Sequence, residues 1–344
     1  MIYKFIRNTL LLSVSILVIC VFTGCSKRPD PASPYSPDNY LAASTPISFD
    51  IDTLESVPLD QMTTLSVPTY ITKIDDLYFI VDCYNNQVIY HDNLNDPLPS
   101  WNIASNDLSL PHSVASDGTV YLIDDTERHR VLVMEKGLNS NNQPIFLPTQ
   151  EFLDIGTRPH YILYDDYTDT FYVWSSLSGE MYLFRRAENT TDVYLTNILS
   201  VPELNGVYVR SFTILEDRIY FVSGNSNILE CDLYSFEVIN RYPVPDSMAG
   251  MVQLTKIQDY YYITVSTDIT GNQDYATLLR VKDLKDLAGG DYEDIYRYFI
   301  GGGTPYCITQ IDDTYFLTEH RLPGHSIWSF TVENNEIGNV TEIY

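Results

Sequence analysis

One pattern recurs along this chain and constrains it more than any other feature. The stretch TYITKIDDLYFI (69–80) returns without a gap as VQLTKIQDYYYI (252–263) and as YCITQIDDTYFL (306–317). HSVASDGTVYLI (112–123) and SFTILEDRIYFV (211–222) share its frame, and HYILYDDYTDTFYVW (160–174) carries three extra residues in its turn. Alternating apolar and polar residues on either side of an Asp-rich or Asp-Gly turn mark an antiparallel hairpin. A tyrosine in the second strand labels each copy: Tyr78, Tyr121, Tyr172, Tyr220, Tyr261 and Tyr315, at separations of 43, 51, 48, 41 and 54. These spacings lie near the length of a four-stranded propeller blade.

Each copy reads as strands A to D. A precedes the turn, B carries the tyrosine, C follows a polar loop, and D leads to the next copy. A single such sheet has two apolar faces and cannot bury both, whereas six packed radially cover one another. The expected fold is therefore all-β, a six-bladed β-propeller of four-stranded antiparallel blades over residues 47–344. The composition agrees, with 28 tyrosines against 3 tryptophans in 344 residues and 44% apolar content, a bias toward strands. Either ISFDID (47–52) or VTEIY (340–344) could supply the outer strand that closes the ring.

The amino terminus lies outside this frame. Lys4 and Arg7 precede an apolar run at 10–22, too short to span as a permanent helix but suited to an export signal. The run ends in Phe22, Thr23, Gly24 and Cys25, which resembles a bacterial lipoprotein signal, with Phe22 where the usual residue is Leu. That resemblance implies a signal peptide at 1–24, a lipidated (palmitate-bearing) Cys25, and a location on the cell envelope, membrane-anchored and facing outside the cytoplasm. The Pro-, Ser- and Ala-rich segment to residue 46 reads as a flexible tether, reaching on the order of 60 Å if extended.

Removing Lys4 and Arg7 with the signal leaves 18 Lys+Arg against 46 Asp+Glu, a net charge of −28. Such a surface repels polyanions, so no nucleic-acid partner is expected. Cys83, Cys231 and Cys307 are odd in number and widely spaced, and read as small buried hydrophobes.

Two stretches carry a further resemblance. VDCYNNQVIYH (81–91) and DDTERHRVLVM (124–134) are similar to the NHL repeat, in which a strand ending in Asp is followed by a loop with Asn or His, then Arg and a valine-rich strand. Asp125, Thr126, His129, Arg130 and Val131 match that pattern, and Asp82, Asn86, Gln87 and Val88 match it in part. The resemblance implies a propeller and no particular activity.

In a propeller, strand A is innermost and its first residues surround the mouth of the central channel. The repeat frame places Thr69, His112, His160, Ser211, Val252 and Tyr306 there, with Arg210 beside Ser211. Loops on the same face add Arg128, His129, Arg130, His320, Arg321 and His325, a cationic mouth on an acidic body. Thr69, His112, His160, Arg210, Ser211 and Tyr306 are the candidate ligand-binding residues. Two histidines one blade apart lack further ligands for zinc, and neither a metal nor another cofactor is expected. The expected function is binding of a small molecule, glycan or protein at the funnel face without catalysis. The alternative is a propeller enzyme of the streptogramin-lyase or gluconolactonase type, with His112 or His160 as base and Arg210 or Tyr306 opposite developing negative charge.

Overall fold

Two-residue turns join strands A and B in four of the six copies, and the first turn residue takes a left-handed conformation in each. Asp75, Glu216, Gln258 and Asp312 have φ of 53°, 55°, 53° and 52°, a backbone that matches the twist of the flanking strands. A computed structural model describes residues 40–48, 57–58, 64–322 and 324–344. The expected signal peptide, Cys25 and residues 49–52 lie outside the described residues.

The strands form six antiparallel sheets, and the four main strands of each come from a contiguous piece of chain. Blade 1 comprises Pro68–Ile74, Leu77–Asp82, Gln87–His91 and Asn102–Ser105, and blade 2 comprises Val114–Ser116, Val120–Asp125, Arg130–Leu138 and Pro144–Phe152. Blade 3 runs through Pro159–Asp165, Thr170–Ser175, Glu180–Arg186 and Val193–Ser200, and blade 4 through Val209–Leu215, Arg218–Ser223, Asn227–Asp232 and Val238–Pro243. Blade 5 consists of Met251–Ile257, Tyr260–Val265, Thr277–Val281 and Glu293–Asp294, and blade 6 of Thr304–Ile311, Thr314–His320, Ile327–Glu333 and Glu336–Glu342. Each strand A touches the strand A of the next blade, and that of blade 6 touches blade 1. The ring is a closed six-bladed propeller.

Its apolar core is divided in the way closure requires. Each of six clusters of buried side chains lies between two neighbouring blades. Between blades 3 and 4, Trp174 lies 4.5 Å from Phe221, with Tyr161, Phe212 and Phe236 around them. Burying each such side chain contributes roughly 1.5–3 kcal/mol, and no blade could do so alone.

The ring closes at the carboxyl end of the chain. Glu336–Glu342 is the outer strand of blade 6, and Tyr344 reaches across to blade 1, where its hydroxyl accepts from Trp101 Nε1 at 2.9 Å. The amino-terminal segment does something composition did not suggest. Ala42–Ala43 pairs with the outer strand of blade 3, Thr45–Pro46 with that of blade 2, and Val57–Pro58 with that of blade 1. The last residues of the expected tether thus lie as a strap on the rim, held also by Gln150 Nε2 donating to Ser44 Oγ and by Tyr40 packed on Tyr194.

Around the hub, strand A of five blades carries a register shift at the position the repeat frame marks, between Pro68 and Tyr70, Pro159 and Tyr161, Val209 and Phe212, Met251 and Gln253, and Pro305 and Cys307. A bulge leaves one residue out of the ladder and re-aims its side chain. Counting back from the A–B turns, that residue is Thr69, His160, Arg210, Val252 and Tyr306, with His112 equivalent in blade 2. Blade 4 therefore runs one residue out of step with the sequence alignment, and Arg210, not Ser211, occupies the hub position. The marker tyrosines of blades 3 and 4 slip in the same way: Tyr172 and Tyr220 face the following blade, whereas Tyr78, Tyr121, Tyr261 and Tyr315 face the preceding one. A single-residue slip reverses the face of a strand residue.

Carbonyls at or next to the bulges tie the blades together. Thr69 Oγ1 donates to His112 O, Thr126 Oγ1 to Pro159 O, Ser211 Oγ to Val252 O, Thr264 Oγ1 to Tyr306 O, and Thr318 Oγ1 to Thr69 O. His160 Nδ1 completes the circuit at 2.9 Å from Arg210 O. Each of the six blade junctions thus has a hydrogen bond at the hub.

Candidate functional site

The hub side chains open on one face into a funnel of about 230 Å3 to which every blade contributes. Thr69 and Cys83 come from blade 1, His112 from blade 2, Arg158 from blade 3, Tyr208 and Arg210 from blade 4, Ser266 and Gln273 from blade 5, and Tyr306 and His320 from blade 6. Below them Tyr161, Gln253 and Cys307 leave almost no free space, about 10 Å3. The funnel is a blind pocket. A larger depression of about 580 Å3, lined by Glu203 and residues 235–241, sits on the rim between blades 3 and 4. Its Arg241 is already paired with Glu203 at 2.8 Å, and no hub residue reaches it.

Of the residues the sequence singled out, Thr69, His112, His160, Arg210, Ser211 and Tyr306 do come together around the axis. They divide by what their side chains do. Thr69 and Ser211 spend their hydroxyls on the neighbouring blade's carbonyls, so their visible work is structural. His112 and His160 stack with ring centroids 3.7 Å apart, and the Tyr306 ring lies 6.1 Å from that of His112 and within 22° of parallel.

His160 is 1% exposed, and both its ring nitrogens are engaged. Because Arg210 O can only accept, Nδ1 carries the proton, and Nε2 accepts from the Tyr208 hydroxyl at 3.1 Å. Burial, helped by His112, Arg210 and Arg158, holds this imidazole well below the usual histidine range. It is a neutral spacer at physiological pH. His112 places Nδ1 2.9 Å from Thr126 Oγ1 and 3.7 Å from the buried Asp124 carboxylate, and Nε2 3.8 Å from Cys83 Sγ. Burial pushes that thiol far up, so Cys83 is a protonated thiol rather than a nucleophile. His320, 6.3 Å from Tyr306, is lowered to about 4 by burial and by Arg321 and Arg210.

The cationic mouth is narrower than the sequence suggested. Arg130 is spent on Asp125 (2.6 Å) and Glu151 (2.7 Å), Arg128 on Asp107 (2.7 Å), and His325 lies 2.8 Å from Glu342. His129 Nδ1 accepts from the Arg158 amide. What remains over the funnel is Arg210 and Arg158, whose guanidinium carbons lie 4.8 and 6.0 Å from the Tyr208 ring centre, with Arg321 at the rim on Gln273 O and Thr304 Oγ1. Arg210 meets no carboxylate among the described residues; its Nη1 only grazes Met251 O at 3.4 Å. Arg158 pairs with Glu127 at 2.8 Å, yet its buried Nε has no acceptor among the described residues.

Arg158 and Tyr208 were missed in the sequence because they stand two residues before the hub position, in loops outside the repeat frame. The available signal was Arg158-Pro159-His160, a cation two residues ahead of a hub histidine. Among the described residues no group of three or more His, Cys, Asp or Glu is placed to hold a metal ion.

Neither a family profile nor a curated protein sequence matches this chain. Its fold is shared with solved structures at low identity. A provisionally assigned 6-phosphogluconolactonase of Bacteroides fragilis is 13% identical with a TM-score of 0.56, over 91% of this chain and 92% of that one. Its counterpart from Bacteroides uniformis is 10% identical at 0.54, over 81% and 84%. Streptogramin B lyase is 16% identical at 0.52, over 84% and 88%. Likeness at this level is one of fold.

Proposed function

We propose that this chain is an extracytoplasmic, lipid-anchored propeller that binds a small anionic ligand in its funnel and does not transform it. The observation that carries the reading is Arg210: in a chain with a net charge of −26, a guanidinium that meets no carboxylate among the described residues faces a blind polar pocket beside Arg158. An anion there would meet two guanidiniums in a site screened from bulk water, where charge-assisted hydrogen bonds are strongest. A volume of about 230 Å3 falls below that of pockets for drug-sized ligands, which favours one small carboxylate or phosphate, or a single acidic sugar.

Attachment to the membrane through Cys25 is part of the same reading, supported by the signal-like stretch at 1–25. The paired construction of Asp82 and Asp125, each accepting a loop amide at 2.7 Å (from Ser66 and Ser109), supports an NHL-like ancestry for blades 1 and 2.

The test is calorimetric titration of the mature chain with glucuronate and with inorganic phosphate, beside Arg210→Met. Binding that the variant loses supports the reading; binding that the variant keeps removes it from the funnel. Radiolabelled palmitate incorporation into the full chain, lost in Cys25→Ser, tests the anchor.

A second reading has one observation in its favour. Asp124 and Thr126 orient the imidazole of His112 toward the funnel, as a general base requires. A lyase or lactonase would then use His112 for proton abstraction and Arg210 or Tyr306 to face developing charge. His160 does not suit that role, since both its nitrogens are committed. Turnover of an acidic lactone or sugar ester that disappears in His112→Gln would favour this reading over simple binding.

A further inference from the structure

We infer that the funnel receives the terminal residue of an acidic glycan chain, end-on, with the next sugar lying on exposed tyrosines at the rim. This rests on the anion-binding reading above and adds to it the class of ligand and the direction in which it enters.

Three observations converge. The pocket is closed below by Tyr161, Gln253 and Cys307, so a chain cannot thread through the hub, and only an end can enter. Its space suits one ring with a carboxylate against Arg210 and Arg158, not several rings. The rim then carries aromatic surface that the fold does not use. Tyr84, in the same turn as Cys83, lines the mouth yet is 63% exposed, and Tyr275, in the turn that begins with the lining residue Gln273, is 49% exposed. Neither ring stacks on another aromatic side chain among the described residues.

A sugar ring laid on either tyrosine would cover apolar surface that is now open to water. The C–H faces of a pyranose carry a weak positive potential and fit the negative face of an aromatic ring. A protein partner is disfavoured by the narrow, polar and blind character of the depth, where the cations are. The overall negative charge repels a polyanion lying along the surface. Delivering a single terminal carboxylate into the funnel, with the rest of the chain leading away, limits that repulsion.

The experiment uses the mature chain and measures affinity by calorimetry for galacturonate, digalacturonate and trigalacturonate, and for the glucuronate series, with Tyr84→Ala and Tyr275→Ala. Both tyrosines are exposed, so the variants should fold. The expected result is that the dimer binds about tenfold more tightly than the monomer, that Tyr275→Ala lowers the dimer toward the monomer's affinity while leaving the monomer unchanged, and that Tyr84→Ala, which touches the funnel, lowers the dimer by a larger factor than the monomer. On polygalacturonate the number of bound proteins per chain should follow chain ends and not chain length. Equal affinity for monomer and dimer, tyrosine variants without effect, or stoichiometry that grows with length would each overturn the inference. If the monomers bind in an Arg210-dependent way but the dimer gains nothing, only this inference falls. If no uronate binds at all, the acidic-glycan inference falls, and Arg210-dependent binding of phosphate decides whether the anion site stands.

Discussion

His160 donates from Nδ1 to the carbonyl oxygen of Arg210, 2.9 Å away, so the residue that fastens blade 3 to blade 4 also fixes the backbone from which the Arg210 guanidinium projects over the funnel. Structure and candidate site meet at this bond. A variant at His160 should therefore change both stability and binding, whereas one at Arg210 should change binding with little effect on stability.

The protonation of His160 gives the first test. Its folded-state affinity for protons is lowered by burial, so below about pH 6.5 the unfolded chain binds a proton that the folded chain refuses. Stability is full above that pH and falls as the pH drops toward 5, and His320, lowered to about 4, acts in the same direction. The substitution His160→Asn supplies a side-chain amide that can replace the Nδ1 donor and cannot titrate. Urea unfolding at pH 7 and pH 5 should show a smaller loss for His160→Asn than for the wild type; equal losses would mean that the imidazole is not held neutral.

Thr264 offers a test of the hub bonds. Its hydroxyl donates to Tyr306 O at 2.7 Å and accepts the bulged-strand amide of Gln253 at 3.0 Å. Thr264→Val keeps the shape and leaves both groups buried without that partner, at a cost of about 1–3 kcal/mol each. Denaturant midpoints should fall accordingly. A change within measurement error would show that the hub bonds do not hold the blades.

Arg130 tests the local structure that resembles an NHL repeat. It lies 2.6 Å from the buried Asp125 carboxylate and 2.7 Å from Glu151. Removing the cation in Arg130→Ala leaves those acids facing one another, and breaking such a buried pair costs about 3–5 kcal/mol. Arg128→Ala removes a pair with the largely exposed Asp107 and a longer approach, 3.5 Å, to Asp125, which keeps Arg130, and should cost under about 1 kcal/mol. Similar effects for the two would contradict the difference in burial.

Tyr344 tests ring closure. Its hydroxyl accepts from Trp101 and lies 2.6 Å from the carbonyl oxygens of Leu94 and Asp96. Tyr344→Phe should destabilise the fold by about 1–3 kcal/mol and raise hydrogen exchange where blade 6 meets blade 1 before it rises elsewhere. Uniform exchange would show that the seam is no weaker than the other junctions.

The blade count was legible in the sequence because it follows from hairpin turns and alternation, which are local. Thr69, His112, His160, Val252 and Tyr306 could be placed at the hub for the same reason. The repeat frame puts Ser211 at the hub position that Arg210 occupies, because residue identity does not show which strand residue leaves the ladder. The strap at 42–46 has the composition of a spacer, since two-residue pairings leave no periodicity. The narrowing of the cationic mouth depended on partners far away in sequence, such as Asp107 and Glu151 for Arg130. Arg158 and Tyr208 belong to connecting loops whose course the repeat does not constrain.

The most direct measurement is a crystal structure of the protein grown with saturating glucuronate. The account predicts the sugar in the hub funnel, with its carboxylate oxygens within hydrogen-bonding distance of the guanidinium of Arg210 and facing Arg158 Nε. An ordered sugar in the depression between blades 3 and 4, or a funnel without sugar when calorimetry shows saturation, would contradict it.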